Sequence, residues 1–422
     1  MRVVVCALGT RGDVQPPAVL AAELQARGHQ VLVATTHDLI DFVASLGLRT
    51  APLSADIKGI FQSPEGQRLM ASGNARAFLK HIAGIRRERV TTVQDEMIAL
   101  ARGADLLIAG KHSEDDTACI AEAYGVPLVT LHHAPWGGNP VYPAFLATTR
   151  RLPGGLRQAS HWYVERATWK SLEADIRRIR QVLALPPVSK PTEAGLYRVD
   201  ALQIQAYSRH LTPELVDWHP RRPLTGFIEP TRAQHEAFGD ATADPDLGRW
   251  LDAGDPPIYF GFGSMPVLDP DAMLQMVTNV SRALNMRGLV VAGWTELRRT
   301  PAPDGPIHVT PAVDHGAVLP RCRVAVHHGG AGTTAASIGA GLPTVAAAVF
   351  MDQPFWANRL ERLGVGRAMR FADLTEKSLL RAIESLLGPE PKRRAAAIAS
   401  AMRTENGTSN AADAVEKAPF EA

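Results

Sequence analysis

The chain has 422 residues, 45% hydrophobic and 21% charged, enough for two or three domains with cores of their own. Its 45 Lys and Arg against 43 Asp and Glu leave a net charge of +2, so nucleic acid is not an expected partner. Cys6, Cys119 and Cys322 are far apart and lack CxxC spacing, which argues against a disulfide framework or a zinc site.

Met1 leads straight into MRVVVCAL without a leader pattern, and no apolar run reaches the ~18 residues of a membrane span. The expectation is a cytoplasmic protein, with loose docking on a membrane surface still compatible and the oligomeric state left open. RVVVCAL (2–8) reads as a buried strand, 16–28 as an amphipathic helix ended by Gly28, QVLVAT (30–35) as a strand and 39–47 as a helix. DLLIAG (105–110), the helix 117–125 and VPLVTL (126–131) continue the alternation. Alternating strands and helices predict right-handed βαβ units and a parallel sheet. Segment 56–102 reads as helical and less regular. Segment 136–200, rich in Trp, Tyr, Pro and long polar helices, breaks the pattern.

A second alternating series runs through PIYFGFGS (257–264), GLVVAG (288–293), PIHVTP (306–311), RVAVHHG (323–329) and LPTVAAAV (342–349). The polar, Pro/Gly-rich 229–256 reads as the linker between an N-terminal domain (1–228) and a C-terminal one (257–400). The remainder, 401–422, is a tail free to pack back on the first domain. Two doubly wound α/β domains facing a central cleft are expected, with ligands at the carboxyl ends of the strands.

The most informative stretch is VHHGGAGTT (326–334). A strand ends in two imidazoles, a glycine-rich turn follows, and Thr333 or Thr334 can cap the next helix. Free N–H groups and the helix dipole suit an anion there, phosphate above all. No GxxxxGK[ST] is present and no GxGxxG follows the first strand, which speaks against a P-loop NTPase and a dinucleotide dehydrogenase.

With its continuation to residue 366, HHGGAGTTAASIGAGLPTVAAAVFMDQPFWANRLERLGVG (327–366) resembles the donor-binding signature of family 1 glycosyltransferases of the GT-B fold. LGTRGDVQP (8–16) is similar to the start of sterol glucosyltransferases and actinobacterial antibiotic glycosyltransferases. The resemblance implies two Rossmann-like domains and transfer of a hexose, with inversion, from a UDP- or dTDP-sugar to a hydroxyl of a lipophilic small molecule. It implies no cofactor beyond that co-substrate and no metal. His327 matches the histidine on the donor diphosphate; Gly330, Gly332 and Thr333 match the phosphate cradle. His328 stands where many relatives have a small residue. Gly263 and Ser264 match a phosphate-side turn, and Asp352 and Gln353 the pair on the sugar hydroxyls. Val313 and His315 align near nucleobase and ribose. Ala312 replaces a base-stacking tryptophan, leaving Trp294 as an alternative platform. Asp13 matches the proposed catalytic base, and His112, His132, His133 and Trp136 fall on the acceptor side.

Each role has a plainer alternative. Asp352 could cap the helix behind it, Trp294 could be core, and Asp13 could cap its helix or pair with Arg11. The DxD patterns at Asp244/Asp246 and Asp269/Asp271 are of a kind that arises by chance. Two other functions are compatible with the fold: a sugar-nucleotide epimerase, which needs no acceptor pocket, and a non-catalytic nucleotide-sugar-binding helper.

Overall fold

A computed structural model describes residues 1–71, 75–191, 195–197, 199–215, 218–239, 244, 246–261, 263, 269–293 and 305–418. Twelve strands are named among them: β1 (Arg2–Cys6), β2 (Gln30–Thr36), β3 (Arg49–Leu53), β4 (Leu106–Gly110), β5 (Leu128–His132), β6 (Leu202–Gln205), β7 (Ile258–Gly261), β8 (Gly288–Val291), β9 (Ile307–Thr310), β10 (Val324–His327), β11 (Thr344–Ala348) and β12 (Gly366–Arg370). They form two six-stranded parallel sheets, ordered β3-β2-β1-β4-β5-β6 and β12-β11-β10-β7-β8-β9. Both sheets thus follow one winding rule. The chain moves outward over three strands, returns beside the first, and moves outward the other way.

The central strands are the continuous apolar runs read from the sequence, as burial on both faces requires. Val3, Val4 and Val5 are fully buried, with Val4 in register with Leu32 and Leu107. The strands missing from the sequence reading, β3, β6 and β12, all lie at sheet edges. Edge positions tolerate Pro52 in β3 and polar residues such as Gln203 and Arg367, which erase the apolar signature.

The chain clusters into two units, one of 1–60, 80–230 and 405–422, the other of 61–79 and 231–404. The stretch 229–256, expected as a linker, is only partly one. It carries short helices Arg232–Ala237 and Leu247–Asp252, and Leu247, Trp250 and Leu251 join the second core with Leu289 and Val318. Three apolar residues on one short helix find their burial there. In the first unit, helix Gly407–Lys417 packs on α1 (Arg11–Ala26). Its Ala411, Ala412 and Val415 enter the core beside Leu20 and Leu24, while Arg27 pairs with Asp413 at 2.7 Å and Glu416 at 2.8 Å.

Helix α1 starts at Arg11, five residues before the expected start, and runs through Pro16 and Pro17. Thr10 is its N-cap and Asp13 its third residue, and the Asp13 carboxylate accepts from the Thr10 amide at 2.8 Å. This capping box starts the helix early enough to swing Asp13 back over the end of β1.

Candidate active site

In an open parallel sheet, a crevice opens at the carboxyl ends of the two strands where the winding reverses. For the first sheet these are β1 and β4. Asp13 follows β1, and His112 lies just past the end of β4. The loop from β1 brings Gly9 against the Asp13 side chain at φ +139°, where a Cβ would come within 2.4 Å of the carboxylate. Only glycine leaves that space.

Asp13 Oδ2 accepts from the Thr10 amide at 2.8 Å and the Thr10 hydroxyl at 3.0 Å. Oδ1 faces His112 Nε2 at 3.6 Å and His133 Nε2 at 4.0 Å. Burial raises the Asp13 pKa, but the His112 hydrogen bond and charge, the His133 charge and the Thr10 amide outweigh it. The carboxyl is held well below the ordinary carboxylate range. The Arg11 guanidinium bonds Gln15 at 3.0 Å and lies over Phe42.

His132 does not join this cluster. It is 2% exposed and its Nε2 bonds Glu114 Oε2 at 2.7 Å, so burial holds the imidazole below its ordinary pKa. Glu114 also takes the ammonium of Lys111. Burial raises the Glu114 pKa, yet Lys111 and His132 bring it down to about 2. This buried carboxylate therefore ties together the residues immediately before His112 and His133. Trp136 lies edge-on to His133 at 6.4 Å and to Phe145 at 4.7 Å, with Lys111 over its ring at 5.3 Å.

In the second sheet the winding reverses between β7 and β10, so Gly263 and His328 occupy the matching positions. Helix Ala331–Gly339 begins directly behind, with Gly330 as N-cap. It starts earlier than a threonine cap would place it. Thr333 is inside the first turn, and the acceptor-less amides belong to Ala331, Gly332 and Thr333. The two histidines have different surroundings. His327 is fully buried: its Nδ1 accepts from the Gly329 amide at 2.9 Å and its Nε2 meets Ser337 Oγ at 3.1 Å. Both nitrogens serve the fold, and burial keeps the ring well below its ordinary pKa. The strand alternation that buries His327 turns His328 toward the crevice. His328 is half-buried, and its Nδ1 has no hydrogen-bond partner among the described residues. Its ring fills the space where Cβ atoms on Gly330 and Gly263 would lie, at 2.5 and 2.9 Å. Burial brings it down to about 4. The side chain that packs against Gly263 and Gly330 is thus His328. The sequence signal was available in the histidine doublet ending a two-sided strand.

Asp352 and Gln353 stand at the start of helix Gln353–Arg362, both under a tenth exposed. Asp352 does not cap the backbone; its Oδ2 accepts from the Trp356 indole at 3.1 Å. Gln353 Oε1 accepts from the Val349 and Phe350 amides at 2.9 and 3.3 Å, bracing a turn in which Met351 takes φ +58°. The Val313 side chain is 5% exposed and packs in the core with Trp250 and Leu319. His315 bonds the Tyr259 hydroxyl at 2.8 Å. Ser264 and Trp294 lie outside the described residues. Of the DxD carboxylates, Asp244 pairs with His308 at 2.6 Å and Asp269 caps helix Pro270–Ala283.

Comparison with known proteins agrees with this architecture. Residues 3–143 match the Glycosyltransferase family 28 N-terminal domain, and residues 296–417 match the erythromycin biosynthesis protein CIII-like C-terminal domain. An uncharacterized glycosyltransferase of Mycobacterium tuberculosis is 36% identical over 410 residues, 95% of each chain. A sterol 3-beta-glucosyltransferase of Arabidopsis thaliana is 30% identical over 429 residues, 99% of this chain and 65% of that one. Among solved structures, the kitacinnamycin glycosyltransferase superposes with a TM-score of 0.71 at 19% identity, covering 99% of this chain and 98% of its own. SsfS6 of Streptomyces sp. SF2575, complexed with thymidine diphosphate, gives 0.61 at 20% identity, covering 99% and 100%. Two equivalent doubly wound sheets and full-length relatives together identify the chain as a member of the glycosyltransferases with the GT-B fold.

Proposed function

We propose that the protein transfers a hexose from a nucleoside-diphosphate sugar to a hydroxyl of a lipophilic small molecule, with inversion at the anomeric carbon. The observation that carries this reading is the Asp13–His112–His133 cluster at the winding reversal of the first sheet, an arrangement suited to taking a proton from a hydroxyl. In this proposal His112, with 42% of its side chain exposed and its Nε2 3.6 Å from Asp13 Oδ1, takes the proton, and Asp13 orients it and stabilises the imidazolium that forms. Asp13 therefore acts through His112 in this proposal.

The donor belongs to the second unit. His328 and the amides of Ala331–Thr333 meet the diphosphate as it leaves, by preorganised electrostatics and without a metal. Asp352 and Gln353 meet the hexose hydroxyls. A sterol glucosyltransferase and antibiotic glycosyltransferases among the relatives and neighbours support a lipophilic acceptor.

The test is release of nucleoside diphosphate from UDP- and dTDP-sugars with and without a panel of sterol, macrolide and glycolipid acceptors. Acceptor-dependent release with the opposite anomeric configuration in the product is expected. Release or isomerisation independent of acceptor would replace the proposal with an epimerase. Binding without turnover would replace it with a helper protein.

A further inference from the structure

Five of the six large hydrophobic side chains exposed among the described residues fall between positions 146 and 182. Four of them stand on helix Gly154–Val182: Leu156 (60% exposed), Trp162 (62%), Tyr163 (64%) and, as its last residue, Val182. Leu156, Ala159, Trp162 with Tyr163, Arg166 and Lys170 follow one another at three- and four-residue steps, so they form one outward stripe. The opposite side of the helix is pinned inward. Ser160 and Trp169 are buried, Ser160 Oγ accepts from the Ala144 amide at 3.0 Å, and His161 Nε2 bonds the Tyr142 carbonyl at 2.8 Å. The stripe cannot roll inward to hide its aromatic rings.

The charge of this surface has one sign. From Leu146 to Lys170 the chain carries Arg150, Arg151, Arg157, Arg166 and Lys170 against Glu165 alone, although the whole chain is nearly neutral. Arg166 lies over the Trp162 ring at 5.7 Å. A second copy docking here would bring like charge onto like charge. Trp and Tyr beside Arg and Lys are the side chains that settle at the headgroup level of a bilayer, rings toward the acyl chains and cations toward lipid phosphate. The helix is also joined to the Asp13 side of its unit, through Ala144 and Phe145 to Trp136 and His133.

We propose that the outward stripe of helix Gly154–Val182 is a docking surface for an anionic phospholipid bilayer. Trp162, Tyr163 and Leu156 enter the interface, and Arg166 and Lys170 on the same stripe bind the lipid phosphates. Such docking would present the unit holding Asp13 and His112 to acceptors that reside in the bilayer.

The experiment is flotation of the full chain with vesicles of phosphatidylglycerol and phosphatidylcholine, against vesicles of phosphatidylcholine alone. Binding to the anionic vesicles, weakened by salt, is expected. Trp162→Ser with Tyr163→Ser should weaken it roughly tenfold or more, from the apolar area withdrawn. Arg166→Gln with Lys170→Gln should weaken it about 30-fold. All four positions are exposed, so melting temperature and nucleoside-diphosphate affinity should stay at wild-type values. No flotation with anionic vesicles overturns the proposal, as does equal flotation of the double variants. A concentration-dependent dimer abolished by Trp162→Ser with Tyr163→Ser would assign the surface to a second copy. Because the readout needs neither donor nor acceptor, its failure leaves the proposed transfer reaction standing.

Discussion

His112 Nε2 lies 3.6 Å from Asp13 Oδ1, while the other Asp13 oxygen is occupied by the Thr10 amide and hydroxyl. One oxygen starts a helix and the other faces an imidazole. The two roles can be separated by substitution. Asp13→Asn keeps an oxygen for Thr10, so the melting temperature should stay close to wild type. Its kcat should fall on the order of 10²–10⁴-fold. His112→Ala should cost as much in kcat and little in stability. Near wild-type turnover by either variant, measured at saturating donor and acceptor, removes that residue from the proton path.

The histidine doublet makes a second, sharply divided prediction. His328→Ala should weaken nucleoside-diphosphate binding with little change in melting temperature. His327→Ala should do the reverse. It strips a partner from Gly329 and from Ser337, at a cost of about 1–3 kcal/mol of stability. Calorimetric titration with UDP and dTDP, beside a melting curve, distinguishes them. If His327→Ala alone loses diphosphate affinity, the proposed role of His328 is wrong.

Protonation should accompany donor binding. His328 is held at about 4 by burial, and a bound diphosphate would favour its charged form. The complex then binds more protons than the free protein, so affinity should rise as pH falls. Titrations in buffers of different ionisation enthalpy should show proton uptake in wild type and much less in His328→Ala. Equal uptake by both places the proton elsewhere.

Glu114→Gln probes the buried tie behind the cluster. The amide still reaches His132 but loses the charge that holds Lys111 and His132. A lower kcat with a shifted pH profile, and an unchanged KM for donor, is expected if the tie sets the spacing of His112 and His133 about Asp13. A fall in melting temperature alone would reduce it to a core ion pair.

Acid should destabilise the fold before ordinary carboxylates titrate. His132, His327 and His328 all have folded-state pKa values below 6.5. The unfolded chain therefore binds more protons below that pH. Their stabilising contribution is complete above 6.5 and is lost as pH falls toward the folded values. Glu114, at about 2 when folded against 4.5 unfolded, adds a further loss at lower pH, with the same sign. Melting temperature should drop between about pH 7 and pH 5; a flat profile there would contradict the burial of these rings.

By itself the sequence determined the two parallel sheets. The central strands are buried on both faces and so must be unbroken apolar runs, and the glycine turns at residues 9 and 329–332 mark where another group approaches the backbone. Edge strands β3, β6 and β12 escaped it, because one open side permits proline and polar residues. Tertiary structure alone decided which titratable groups do what. Strand alternation buries one histidine of each doublet, His327 and His132, and turns its neighbour outward, a choice that depends on which face meets a helix. Asp13 stands in the first turn of α1, His112 and His133 lie beyond β4 and β5, and only the β1-β4-β5 neighbour relationship brings both imidazoles within 4.0 Å of one Asp13 oxygen. Spacing along the chain carries no record of that meeting, because the crossover helices between the strands set it.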